Sequence, residues 1–430
     1  MSSTYAGVDD TDTSSTTAEA DDDDADTTMT SQLPTAPFRF LDLPGEIREH
    51  IYRHVLPFTL HKTILDTGRS HDTYTFASNI FLVSKQIYYE ARKVFQRDNV
   101  FVRIETPWPE AQQHVSVEGN VPLLCTGEQA DRFKGFHMAV VIDAPQFIVS
   151  NDDEFAGRRF VVRLEDLEKF CKMWYYSDLS HPGLNGHLRL TLKLKNPHAL
   201  DFEDNPIPKA IQTKLLEPFG RVKGLYAVRV QGEHFPSLAK AMKDTMEVPY
   251  TSPEECLNNC TKLKDAGNAA LQKNDYQSAL DLYIRAFAAM HIICVGHRRS
   301  IWGGAYFEKQ LVGGPYDGQY GHVVRLILRV RLVANVILAY LKLEDFHEAH
   351  FWGMRSIDLM RDANGSDDEE PMTGFAASAE VGKIYYRTGL ACRKLGDRLE
   401  ARKLLYVASK YLPRDENVKT ELESITELIG

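Results

Sequence analysis

From Phe38 the chain reads FRFLDLPGEIREHIYRHVL up to Leu56, with Leu43, Ile47, Ile51 and Val55 at four-residue spacing and polar residues between them. That period puts the four on one stripe of an amphipathic helix, for which Asp42 can serve as cap and Pro44 suits the first turn. After a polar connection rich in Thr, Asp and Gly, the same spacing recurs in Val83, Ile87, Ala91 and Phe95 and predicts a second helix from about Ile80. The chain then turns extended from Asn99 to Glu105. Between 105 and 250 the pattern shortens. Met138 to Ile142 and Phe160 to Leu164 are β-branched apolar runs, and His187 to Leu194 alternates as a half-buried strand does. A helix from Lys209 to about Phe219, ahead of a strand at Leu225 to Val230, fits a βαβ crossover. Pro249, Ser252 and Pro253 mark a linker.

Beyond the linker the chain repeats itself. Counting from Gly267, Ile337 and Gly389, an Asp recurs eight residues on (Asp275, Asp345, Asp397) and an Ala twelve residues on (Ala279, Ala349, Ala401). A small residue follows at nineteen: Ala286, Ser356 and Ala408. Paired helices joined by a tight turn produce such offsets, because small residues stand where the helices cross closely and Asp caps or breaks the turn. The anchors are spaced unevenly, which predicts insertions near Ile292 to Arg329 and Arg361 to Ala379. A capping helix is expected from Glu416 to Leu428.

Composition changes this picture in one place. The formal charge of −10 is nearly all contributed by Met1 to Pro37, which holds nine acidic residues, among them Asp21 to Asp24, and no Lys or Arg. This segment lacks the apolar content to offset the entropy of ordering and is read as a disordered acidic tail. The rest is nearly neutral, so a broad basic surface for nucleic acid is not expected. No stretch approaches the ~20 apolar residues of a membrane span, and the N-terminus has no signal-peptide pattern, which predicts a cytoplasmic or nuclear protein. Six scattered cysteines form no CxxC pair, so neither a metal nor another cofactor is expected, and Cys256 and Cys260, one turn apart, read as buried thiols. No HExxH, Gly-x-Ser-x-Gly or phosphate-loop motif occurs. Gly313, Gly314, Gly318 and Gly321 cluster without a motif Lys, and His181, His187 and His198 lack ligand spacing. The chain is expected to have no catalytic role.

Leu43, Pro44, Glu46, Ile47, Arg48, Ile51 and Tyr52, followed by FLVSKQIYYEARKVF from Phe81 to Phe95, resemble the opening of the fungal F-box-like proteins. That resemblance implies docking to the adaptor subunit of an SCF-type ubiquitin ligase through Leu43, Pro44, Ile47 and Ile51; the same residues could instead pack the core of a helical module. Residues 267–287, GNAALQKNDYQSALDLYIRAF, resemble the tetratricopeptide repeat, with Pro413 where such a repeat ends. The second copy departs from the pattern at Gly353, where a bulky residue is usual and where neighbouring Trp352 is expected to take its place. The implied organisation is multidomain α+β. It comprises the tail at 1–37, an F-box-like helical module at 38–104, a small α/β middle region of unassigned role at 105–250, and an all-α tetratricopeptide domain of three repeats plus a capping helix at 251–430.

In a tetratricopeptide domain the first helix of each pair lines a concave groove. There Lys264 and Asn268, Asn335, and Lys383 and Arg387 resemble the two-carboxylate clamp of co-chaperones, immunophilins included. By that resemblance the ligand is the Glu-Glu-Val-Asp C-terminal tail of a cytosolic heat-shock chaperone. Lys264, Asn268 and Asn335 would hold the terminal carboxylate, Lys383 the last Asp side chain, and Arg387 a more distal acidic or backbone group. Charge-assisted bonds from Lys or Arg to carboxylates are about twice as strong as neutral ones, and Asn adds donors without charge. Two roles stay open: an adaptor joining chaperone to ubiquitin ligase, or a co-chaperone scaffold with no ubiquitin link.

Overall fold

A computed structural model describes residues 38–64, 70–108, 110–146, 158–199, 205–364, 371 and 374–427; the expected acidic tail lies outside these residues. Helix α1 (Gly45–Val55), an antiparallel hairpin of β1 (Thr59–Ile64) and β2 (Ser70–Thr75), and α2 (Lys85–Asp98) open the fold. The hairpin occupies what the sequence presented as a polar connection, so this module is not purely helical. Asp42 does not cap α1; it ends a 3-10 turn over Phe40–Asp42 and pairs with Arg39 at 2.9 Å. Nor does the Leu43–Ile47–Ile51–Val55 stripe face the core. Ile47 and Val55 are exposed and Leu43 and Ile51 half-buried, while Tyr52 and Leu56 pack with Ile87, Ala91 and Val94 of α2. Arg48 sets this rotation of α1: its guanidinium donates to Glu90 at 2.7 and 2.9 Å, and the Tyr52 hydroxyl donates to the same carboxylate at 2.9 Å. The second helix begins at Lys85, not Ile80, because Ser84 caps it by accepting from the Ile87 amide at 3.2 Å. Val83 therefore falls outside the helix, with 64% of its surface exposed.

This ion pair has a pH signature. Hydrogen bonds from Arg48 hold the Glu90 carboxyl at about 2, below its ordinary 4.5. A depressed carboxyl contributes stability that is fully present above the ordinary value and is lost as pH falls through the folded one. The melting-temperature gap between wild type and Glu90→Gln should thus be widest above pH 4.5 and close as pH falls towards about 2. A gap that does not change with pH, followed by circular dichroism, would contradict this account of α1–α2 docking.

The chain continues through β3 (Phe101–Glu105), α3 (Ala111–Gln113), β4 (Cys125–Thr126), α4 (Gly127–Arg132), β5 (Met138–Asp143), β6 (Arg159–Arg163), α5 (Leu164–Ser180), β7 (Arg189–Leu194), α6 (Lys209–Leu216), β8 (Ala227–Gln231) and α7 (Pro236–Glu247). Its strands form a mixed six-stranded sheet in the order β4-β6-β3-β5-β7-β8. The expected crossover is present: β7 and β8 run parallel with α6 between them. Ile104, Val140, Phe160, Leu190 and Phe219 form the centre of its core. Strand β3, which ends the first apolar segment of the sequence, pairs with both β5 and β6 inside the sheet.

Six helices then pair as α8 (Pro253–Gln272) with α9 (Tyr276–Ala289), α10 (Gly321–Lys342) with α11 (Phe346–Asn364) and α12 (Ser378–Lys394) with α13 (Arg398–Tyr411), followed by α14 (Glu416–Glu427). The repeated Asp residues cap the second helix of each pair. Asp275 accepts from the Ser278 amide at 3.2 Å, Asp345 from Glu348 at 3.1 Å and Asp397 from Glu400 at 3.0 Å. Ala279, Ala349 and Ala401 are fully buried where the paired helices cross. The region is not all-α. Between the first two pairs, β9 (Ile292–Val295) and β10 (Arg298–Ile301) form a hairpin around Gly296, whose φ of +52° suits the two-residue turn between Val295 and Arg298. Gly321 to Arg329, expected within this insert, instead extend α10; the second insert is bounded by Asn364 and Ser378. Among the described residues, no helix is long and apolar enough to cross a membrane.

The first insert also docks the repeats on the sheet domain. Trp302 stacks on Tyr176 of α5 with ring centroids 5.7 Å apart, and the Tyr175 hydroxyl lies 3.2 Å from His291 Nε2. The Gly303 amide donates to Ser180 at 2.9 Å, and Arg298 donates to the Val117 and Glu118 carbonyls at 2.6 and 2.9 Å.

Candidate functional site

Helix α10 packs against both α8 and α12, so these first helices of the three pairs share one side of the domain. The five residues expected to form a clamp are on them: Lys264 and Asn268 on α8, Asn335 on α10, Lys383 and Arg387 on α12. Asn335 Nδ2 donates to Asn268 Oδ1 at 2.8 Å, which bridges α8 to α10. Arg387 donates to the Ala334 carbonyl, which bridges α12 to α10. Three of the five residues, Asn268, Asn335 and Arg387, are thus tied together across α8, α10 and α12. Lys383 is exposed one turn before Arg387.

Sequence reasoning missed Tyr283. This fully buried residue of α9 donates its hydroxyl to Asn268 Oδ1 at 2.9 Å. With two donors on Oδ1, the Asn268 amide is fixed with its own NH2 left to donate elsewhere. Gly267 makes the contact possible, since a Cβ there would lie 2.5 Å from Tyr283 Cε1. The coincidence of a glycine beside Asn268 and a tyrosine sixteen residues later was the available signal.

The electrostatics favour an anion. Burial lowers Arg387 to about 10, with the Tyr283 and Tyr386 hydroxyls acting in the opposite direction. A guanidinium kept partly out of water, bonded to a neutral carbonyl, gains most from a carboxylate brought close to it. Lys264 keeps only 14% of its side-chain surface exposed and pairs with the exposed Asp265 at 2.7 Å. The inserted hairpin lies elsewhere: His297 stacks on Phe351 and bonds Glu348, both on α11. A later part of the insert borders the site, where the Tyr316 hydroxyl meets Thr261 Oγ1 at 2.6 Å, one turn before Lys264.

No family model matches the chain. Solved structures similar to it include the C-terminal TPR-containing domain of a Plasmodium falciparum FK506-binding protein (17% identity, 42% of this chain and 94% of that one, TM-score 0.29). The first TPR of Spaghetti (RPAP3), solved with the HSP90 peptide SRMEEVD, is 17% identical over 40% of this chain and 94% of that one, with a TM-score of 0.25. The second TPR domain of human RPAP3, solved with the HSP70 peptide SGPTIEEVD, is 20% identical over 41% of this chain and 98% of that one, also with a TM-score of 0.25.

Proposed function

We propose that the C-terminal repeats bind the acidic C-terminal tail of a cytosolic heat-shock chaperone, ending in Glu-Glu-Val-Asp, by a two-carboxylate clamp. The observation that carries this reading is the Asn335–Asn268 bond with Arg387 anchored on the neighbouring turn of α10. It joins donors from three helices that the repeat offsets alone bring together. Lys264, Asn268 and Asn335 hold the main-chain carboxylate, Lys383 the side chain of the last Asp, and Arg387 a group further up the peptide. Isothermal titration of the full-length chain with a peptide ending in Met-Glu-Glu-Val-Asp tests it, and absence of binding would refute it.

A second proposal concerns the N-terminal module: α1 docks the adaptor subunit of an SCF-type ubiquitin ligase, so that the chain joins a chaperone to the ligase. The favouring observation is a set of large apolar side chains that the module leaves in solvent. Ile47 is 49% exposed, Leu82 84% and Tyr89 66%, and Leu43 and Ile51 are only half-buried. Exposed apolar side chains that come together in one patch mark an interaction surface, and docking of α1 would cover these. Purified chain should therefore co-elute with the adaptor subunit, and Ile47→Asp should abolish co-elution without changing the melting temperature. If the wild-type chain never co-elutes, the alternative of a co-chaperone scaffold with no ubiquitin link is favoured.

A further inference from the structure

A cleft of about 1100 Å³ lies between α5, the β1–β2 hairpin and the inserted β9–β10 hairpin, and none of the clamp residues lines it. Its walls carry six cations: Lys62, Lys169, Lys172, Arg298, Arg299 and Arg355. Two are locally compensated, since Lys169 pairs with Asp166 at 2.8 Å and Lys62 stands opposite Asp72 in the hairpin register. The other four have no carboxylate partner among the described residues. Arg298 bonds only backbone carbonyls, as does Arg299, whose buried Nε has no acceptor. Two carboxylates, Asp72 and Glu118, share the lining, so the six cations leave a surplus of four; Glu118 lies 2.8 Å from His114, and Glu348 on α11 2.5 Å from His297. Arg299 and Arg329 are both held below the ordinary arginine value, by burial and by the charge of Arg355.

We propose that this cleft binds a compact polyphosphorylated small molecule of the inositol polyphosphate class, which bridges the repeats to the sheet domain. The four uncompensated cations come from three separate walls: Lys172 from α5, Arg298 and Arg299 from β10, and Arg355 from α11. A small scaffold with phosphates on several sides meets all three walls at once. An extended nucleic acid instead needs a basic tract along an open surface, and the folded part of this chain is nearly neutral. Arginine forks suit phosphate oxygens in bidentate geometry, and cations gathered in excess of the nearby carboxylates repel one another until an anion joins them.

The test is calorimetry and thermal melting of the full-length chain with myo-inositol hexakisphosphate. Binding should be saturable and should raise the melting temperature, because the ligand ties the two domains together. Arg355→Gln and Lys172→Gln should each weaken binding by about tenfold, the scale of one lost charge-assisted contact. Lys172 is exposed on α5, so its replacement leaves folding intact should Arg355→Gln not. Affinity for the Met-Glu-Glu-Val-Asp peptide should be unchanged in both variants, which separates this site from the clamp. The proposal is overturned if the compound does not bind, if sodium sulfate at equal ionic strength gives the same stabilisation, or if both variants bind like wild type. Tighter binding of a phosphoserine peptide would also overturn it and assign the cleft to an extended protein partner.

Discussion

Amidating the C-terminus of a Met-Glu-Glu-Val-Asp peptide should remove most of its affinity for this chain. The free acid is expected to bind in the micromolar range, about −8 kcal/mol. Amidation keeps length and side chains but deletes the carboxylate that Lys264, Asn268 and Asn335 would share, and a lost desolvated charge contact costs ~2–5 kcal/mol. Asn268 is the residue to change first, because Tyr283 and Asn335 both donate to its Oδ1 and orient its NH2. Asn268→Ala removes that donor and also leaves the buried Tyr283 hydroxyl without its acceptor. Tyr283→Phe separates the two effects: it keeps the Asn268 donor but frees the amide to rotate, so affinity should fall less. Lys383→Ala, at an exposed position, should weaken binding with an unchanged melting curve. Arg387→Ala should weaken it and lower the melting temperature too, since Arg387 also ties α12 to α10. Asp265→Asn should strengthen binding by releasing Lys264 from its 2.7 Å pair. All these ionic effects should shrink as salt rises. Equal binding of the free-acid and amidated peptides would dismiss the clamp and return these residues to an ordinary helix face.

The repeats were legible because their spacing is itself a packing rule. An Asp eight residues on and an Ala twelve residues on describe a turn and a helix crossing, and both are present at Asp275, Asp345 and Asp397 and at Ala279, Ala349 and Ala401. The βαβ crossover was legible for the same reason: β-branched runs flank a helical one. The face of α1 was not. Apolar period identifies a stripe but not what covers it, and Arg48 and Tyr52, both polar, turned out to face the core side through Glu90. The hairpins β1–β2 and β9–β10 escaped because their strands are short and, β9 apart, largely polar, so their order depends on partners distant in sequence, such as the Glu118 carbonyl for Arg298. For the proposed clamp, Lys264, Asn268, Asn335, Lys383 and Arg387 were readable only as residue types at helix offsets. The tyrosine that orients one of them was not, since it lies on the other helix of the pair.

Gly353 is where packing and the proposed clamp meet, and Gly353→Ala should damage both. The sequence suggested that a bulky neighbour, Trp352, takes over the packing at this position. Trp352 is indeed buried, against Phe287 and Arg299. Gly353 itself, however, lies against α12 so closely that a Cβ would fall 1.9 Å from Thr388 Oγ1 and 2.7 Å from its Cγ2. Thr388 cannot easily rotate away, because it is fully buried and its hydroxyl donates to the Ile384 carbonyl at 2.7 Å. Replacing Gly by Ala gains ~1 kcal/mol of helix propensity, but overpacking of a close contact costs ~1–3 kcal/mol, and an overlap this deep belongs at the upper end. The melting temperature should fall. Any relief comes from moving α12 away from α11, and α12 carries Lys383 and Arg387, so peptide affinity should fall in the same variant although neither residue is altered. Thr388→Ala removes the two nearest atoms and leaves 2.8 Å to the residue-388 Cβ. The pair Gly353→Ala with Thr388→Ala should therefore recover part of both losses, giving a coupling well outside the ~0.3–0.5 kcal/mol scatter of independent sites. Strictly additive melting and binding data would mean that α11 and α12 adjust elsewhere and that the position of Arg387 does not depend on this contact.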